Sequence, residues 1–191
     1  MGTIYEFLAD GFEEVEALAP VDIMRRAKLN VKTVSVTGHK EVETSHHVKV
    51  VADVLFEEAD FSDLEMIVLP GGMPGAANLD AHAGLHELIL KAYNADKPLT
   101  AICAGPMVYG KMGLLKGRKA TCYPGFDKYL EGAEYTGALV QIDGPFTTGK
   151  GPAASFSLGY AIVERFCGKE KADELKAGML FTDLVKTCKD E

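Results

Sequence analysis

Leu99-Thr100-Ala101-Ile102-Cys103-Ala104-Gly105-Pro106 reads as a short buried strand that stops at Cys103 and turns at once into a helix. Leu99, Thr100 and Ile102 suit a strand. Gly105 supplies a tight turn, and Pro106 belongs in the first turn of a helix, where its missing N–H costs nothing. The predicted helix runs on from Met107 to Gly113. A thiol is thereby set on a sharp strand-to-helix corner, the geometry that exposes the serine of a nucleophile elbow. A free thiol has a pKa near 8.5 and is only about 3% thiolate at pH 7. Making it mostly thiolate takes about 3–4 kcal/mol, and a helix N-terminus supplies at most about 2 kcal/mol. A chemical role for Cys103 therefore calls for a further partner. The competing reading is a small core residue, because free cysteines are among the most buried types.

Outward from this corner, strands and helices alternate. Residues 3–9 form a first strand ended by Asp10-Gly11, and a helix follows to about Ala27 with Val15, Leu18, Ile23 and Met24 as its buried face. Val31–Val36 is a second strand, and 41–54 a β-excursion, such as a hairpin on the sheet edge. Met66-Ile67-Val68-Leu69 has the fully apolar composition of a strand inside a parallel sheet, and Pro70–Gly75 turns it. A helix covers about 83–95. Strands are expected at 118–122, 138–142 and 145–148, a short helix at 126–131, and helices to about Phe166 and over 169–178. Phe156, Tyr160, Val163 and Phe166 share one stripe of the penultimate helix. This order predicts an α/β fold with a mainly parallel sheet. Right-handed crossovers then bring loops 9–16, 70–75 and 103–106 to one rim, where sites in such folds sit.

The chain has 191 residues, enough for one sizeable core, and a single domain over 1–191 is expected. A net charge of −8 argues against nucleic acid or an anionic membrane as a main partner. The apolar runs are too short to span a bilayer. Met1–Glu6 carries no basic region followed by an apolar block, so no signal peptide is read and a cytoplasmic location is expected. The four cysteines, at 103, 122, 167 and 188, should then be reduced. No pair has metal-ligand spacing, and no metal is expected. Cys167, just beyond an apolar helix, and Cys188, in a polar tail, read as structural or incidental.

The partner for Cys103 is sought in Asp10-Gly11-Phe12-Glu13-Glu14-Val15-Glu16. Glu13 and Glu16, three apart, share a helix face. Pro20 cannot bond the Glu16 carbonyl, so the helix is irregular there or starts after it. A buried carboxyl that keeps its proton donates a charge-assisted hydrogen bond to a thiolate, worth about 1.5–3 kcal/mol. Gly71 and Gly72 permit close backbone approach, with N–H groups able to hold an oxyanion. A Cys-His hydrolase needs a base near the thiol. His46 and His47 could reach the site from the excursion, and His82 and His86 form half a metal site with no further ligand evident.

Glu-Glu-Val-Glu-Ala (13–17), Pro-Val-Asp-Ile-Met-Arg-Arg-Ala (20–27), Val-Leu-Pro-Gly-Gly (68–72), Ala-Ile-Cys-Ala-Gly-Pro (101–106) and Gly-Pro-Ala-Ala-Ser-Phe (151–156) resemble the ThiJ/PfpI superfamily, and within it the Parkinsonism-associated deglycase branch. The matches run in order over about 4–170. The resemblance implies a flavodoxin-like three-layer sandwich and a homodimer. It implies Cys103 as the reactive thiol, Glu16 as the protonated carboxyl bonded to it, and the Gly72 and Ala104 amides as oxyanion donors. It implies no cofactor, and a cysteine that oxidises readily to a sulfinate held by that glutamate. The branch's activities are glyoxalase III and protein deglycation, with redox sensing and chaperone action also proposed. The implied partners are thus a small 2-oxoaldehyde or a glycated protein. Three positions depart from the pattern. Tyr123 stands where deglycase members often carry a histidine, and with a pKa near 10 it is a poor base at pH 7. Ala104 stands where protease-like members place a histidine, which disfavours peptidase activity, and the lack of a placed base disfavours a hydrolase or amidase. His46 falls where close relatives have an arginine near the dimer pocket.

Overall fold

The computed structural model describes residues 2–190, with side chains to 188. Met1 and Glu191, the ends of the expected span, lie outside them. In chain order the elements are β1 (Thr3–Leu8), α1 (Glu14–Arg26), β2 (Val31–Ser35), β3 (Glu41–Glu43), β4 (Lys49–Val51), β5 (Val54–Leu55), β6 (Leu64–Leu69), α2 (Gly75–Ala81), α3 (Ala83–Asn94), β7 (Leu99–Ile102) and α4 (Pro106–Lys111). There follow β8 (Lys119–Ala120), β9 (Glu134–Tyr135), β10 (Val140–Asp143), β11 (Phe146–Gly149), α5 (Ser155–Cys167), α6 (Lys169–Gly178) and α7 (Phe181–Asp190). Seven strands form one sheet in the order β10-β11-β7-β6-β1-β2-β5. Every pairing in it is parallel except β10 with β11.

The pleat of the central strands divides the core. Ile4, Met66 and Val68 pack with Ile23 and Met24 of α1 and with Leu158, Ile162 and Val163 of α5. Their neighbours Tyr5, Phe7, Ile67 and Leu69 point the other way, onto Leu85 and Ile89 of α3 and Met107 and Val108 of α4. Alternate residues feeding two helical layers make the three-layer α/β sandwich that the strand and helix pattern predicts. Among the described residues no helix is long and apolar enough to cross a membrane.

Several local expectations are corrected. In α1, Val15 and Leu18 are 43% and 38% exposed, while Glu16, Ala17, Pro20, Val21, Ile23 and Met24 are the buried face. The helix is rotated because Glu16 is drawn inward. On α5, Phe156 is exposed, and Leu158, Gly159 and Ile162 join Tyr160 and Val163 on the buried side. The β3–β4 hairpin stays apart from the large sheet, and two-residue β5 forms the edge instead. Residues 118–122 give only two-residue β8, paired with β9 outside the main sheet. Gly75–Ala81 and the tail carrying Cys188 are helical, as α2 and α7.

Candidate active site

The C-terminal ends of β1, β6 and β7 lie side by side, and each sends a loop to the same rim. Cys103 leaves β7 with φ +61°. That left-handed conformation costs a non-glycine residue about 1–3 kcal/mol. Backbone bonds on both sides hold it. The Cys103 N–H donates to the Gly149 carbonyl at 2.9 Å, and the Tyr123 N–H donates to the Cys103 carbonyl at 2.9 Å. Gly105, expected as the turn residue, is helical at φ −55°. Space requires its glycine: a Cβ there would meet the carbonyl oxygens of Leu69 and Pro70 at 2.8 Å. The sharp turn is made by the cysteine itself, and its side chain remains half-buried.

Glu16 is fully buried in the first turn of α1. The helix starts at Glu14, so the regular turn begins before Glu16 rather than after it. Glu13 is the N-cap, and its Oε2 accepts the Glu16 N–H at 2.7 Å. The two glutamates are thus cap and first-turn residue, not a matched acid pair. Glu13 is tied to the β6 loop by its own N–H, which donates to the Gly71 carbonyl at 3.0 Å.

Gly71 joins the two halves. Its N–H donates to Glu16 Oε2 at 2.9 Å. A Cβ at Gly71 would lie 2.6 Å from that oxygen, 2.7 Å from Cys103 Cβ and 2.8 Å from the Ala104 nitrogen. Gly72 follows at φ +83°. The Gly72 and Ala104 N–H groups and the Glu16 carboxyl surround the Cys103 sulfur closely enough to shift its pKa, the amides downward and the carboxyl upward. Glu16 Oε1 is buried and has no hydrogen-bond partner.

Burial pushes the Glu16 carboxyl up to about 7, helped by the Glu13 charge and opposed by the Cys103 contact and the Gly71 N–H. Burial, then the Glu16 charge, pushes the Cys103 thiol up, and the two amides at the sulfur pull it down. Each group's charge disfavours the other's, so the two titrate as a coupled pair.

The remaining candidates lie further out. Tyr123 spends its N–H on Cys103, and its side chain is 48% exposed. His46 sits on the turn after β3 with Nδ1 3.0 Å from both Glu14 carboxylate oxygens, and this bond raises its pKa. His47 bonds Glu43 at 2.6 Å. His82 caps α3 by accepting the Leu85 N–H, and His86 faces Asp80 at 3.6 Å, so the two do not converge on a metal. Glu13, Glu14 and His46 bring donor atoms within 4.8 Å of one another. Glu13 and His46 already spend contacts on the Glu16 N–H and Glu14. Sequence reasoning missed Glu13 as a cap and Gly149 as the anchor of Cys103. The first was legible as a carboxylate three residues before Glu16; the second depends on strand order.

Residues 3–165 match the model of the DJ-1/PfpI family. The chain is 41% identical to the DJ-1 homolog B of Arabidopsis thaliana over 174 residues, 91% of this chain and 40% of that protein. It therefore spans about two fifths of that plant relative's length. It is 36% identical to the Parkinson disease protein 7 homolog of Danio rerio, covering 92% of this chain and 95% of that one. It is 33% identical to a deglycase of Pyrococcus abyssi, over 75% and 87% of the two chains. The structure of oxidized Toxoplasma gondii DJ-1 superposes with a TM-score of 0.89 at 30% identity, covering 94% and 98%.

Proposed function

Because the chain belongs to the DJ-1/PfpI family, we propose that it is a cofactor-free cysteine enzyme acting on 2-oxoaldehydes or their protein adducts. The observation that carries this reading is the left-handed Cys103, packed with the buried Glu16 carboxyl and the Ala104 N–H around Gly71. Deglycase is also the name of a relative at 33% identity. For catalysis we place the pair's negative charge on sulfur and the proton on Glu16, the reverse of the order in which burial and the Glu16 charge shift the two groups. The Gly72 and Ala104 N–H groups favour charge on the sulfur, and Glu16, whose Oε2 takes the Gly71 N–H, keeps Oε1 unbonded and free to carry a proton.

In the reaction, the thiolate adds to the aldehyde carbon, and Glu16 gives its proton to the oxyanion that forms. The Gly72 and Ala104 N–H groups stabilise that oxygen as charge develops. The Glu16 carboxylate then moves the C1 proton, through an enediol, to C2, which leaves a thioester on Cys103. Water attacks the thioester, its proton goes to Glu16, and the thiolate leaves. The balance is one 2-oxoaldehyde and one water to one 2-hydroxyacid. Purified protein should convert methylglyoxal to lactate without glutathione, and Cys103→Ala should abolish it. Full activity in that variant would end the proposal.

A second reading is a redox sensor or chaperone. It is favoured by the lack of an imidazole bonded to Cys103 among the described residues and by the oxidized state of the Toxoplasma relative. Mild peroxide should then oxidise Cys103 before Cys122, Cys167 and Cys188 in peptide mass mapping. A homodimer is part of both readings. It is supported by the apolar surface left in water by Val15 and Leu18 on α1 and by Val48 and Val51 in the hairpin region.

A further inference from the structure

The Cys103 corner has an apolar flank. Tyr123, Leu139, Gly151, Pro152 and Ala154 line a cavity of about 250 Å³. Its walls are tied to the cysteine through the backbone. Tyr123 is bonded to the Cys103 carbonyl, and Gly149, bonded to the Cys103 N–H, leads directly into Lys150 and Gly151. These two bonds set residues of the cavity wall next to the Cys103 backbone on either side. The Lys150 N–H donates to the Leu139 carbonyl and the Ala154 N–H to the Gly151 carbonyl, which makes the walls rigid. The Tyr123 ring lies against Gly151, where a Cβ would come within 3.1 Å of it.

Tyr123 and Leu139, 48% and 59% exposed, leave large apolar surface in water around this hollow. The polar groups that converge on Cys103 suffice for the two oxygens of a 2-oxoaldehyde. The carbon substituent must lie elsewhere. A methyl group would leave most of 250 Å³ empty. An apolar cavity of about 150 Å³ is enough to bind benzene.

We propose that this hollow receives the substituent of the substrate, and that the site prefers aryl or branched-alkyl 2-oxoaldehydes to methylglyoxal, with Leu139 and Tyr123 setting the preference. The inference rests on the proposed reaction at Cys103. Turnover of phenylglyoxal and methylglyoxal should be compared without glutathione in the wild type, Leu139→Trp, which fills the hollow, and Leu139→Ala, which widens it. Pockets of this kind discriminate by roughly 10–200-fold. The wild type should favour phenylglyoxal in kcat/KM by about tenfold or more. Leu139→Trp should lose about tenfold on phenylglyoxal and less than about twofold on methylglyoxal. Leu139→Ala should narrow the preference while leaving the fold intact by circular dichroism. In parallel, mandelate and lactate should be tested as protectants of Cys103 against alkylation, a readout that needs no turnover. Mandelate should protect at about tenfold lower concentration, and Leu139→Trp should remove that advantage. Equal protection by the two acids, or equal losses on both aldehydes in Leu139→Trp, would overturn the proposal. If neither aldehyde is turned over but mandelate still protects selectively, the hollow stands and the reaction falls.

Discussion

Gly71 couples the acid to the thiol, because its N–H binds Glu16 while its bare Cα lets Cys103 and Ala104 approach. Gly71→Ala should cost about 1–3 kcal/mol by overpacking and displace the carboxyl from the sulfur. Urea denaturation and the rate of Cys103 alkylation read the two effects, and alkylation should slow by about tenfold. Glu16→Gln separates holding from proton transfer. The glutamine amide can still donate to the sulfur but has no proton to pass. Alkylation should stay within a few-fold of wild type while methylglyoxal turnover falls by about 10²–10⁴-fold. That Cys103, the 13–16 acidic loop and Gly71-Gly72 share one rim was readable from strand–helix alternation, whereas the choice of Glu16 within that loop came from the family resemblance. The left-handed cysteine was not readable. Glycine was the natural candidate for a tight turn, yet Gly105 is kept by contact with Leu69 and Pro70, which only the folded chain brings near.

At the scale of elements, α1 shows how a functional residue overrides pattern. With Glu16 inward and capped by Glu13, the helix presents Val15 and Leu18 to water. Hydrophobic periodicity assigned those two to the core because it has no means of counting a buried glutamate as apolar. Leu18→Glu should leave the monomer fold intact and shift sedimentation of the proposed dimer toward monomer. An unchanged mass would place the dimer contact elsewhere. The corner helix α4 spans only six residues. Stabilisation of negative charge at Cys103 therefore falls to the two individual N–H groups and the carboxyl rather than to a long helix dipole. The strand expected at 118–122 failed for a related reason. Its place beside β7 is taken by β11, and chain order alone does not show which strand wins that edge.

Across the whole molecule, a second buried acid bears on stability. Glu6, on the central strand β1, is fully buried with neither carboxyl oxygen hydrogen-bonded. Burial holds its pKa well above the usual value, against the pull of Arg25. A raised folded-state pKa favours the fold fully below the unfolded value, near 4.3, and that advantage is lost as pH rises toward the folded one. Glu16, raised to about 7 by burial, acts with the same sign over about pH 4.3 to 7. Stability should therefore fall on going from pH 5 to 7, by up to about 1.4 kcal/mol per pH unit for each such group. Glu6→Leu should raise the denaturation midpoint at pH 7 and leave only the shallower slope due to Glu16. A midpoint that drops, or a slope that does not change, would show that Glu6 is ionised and partnered. By itself the sequence determined the α/β class, the parallel sheet and the rim on which Cys103, Glu16 and the glycine loop meet. Composition, turn residues and strand–helix alternation are local and repeat along the chain. Only the tertiary structure decided which residue bears the strained turn, which face of α1 is buried, and what walls the cysteine corner. Those depend on contacts such as Gly149 to Cys103 and Gly71 to Glu16, between segments far apart in the chain, which exist only once the sheet has ordered its strands.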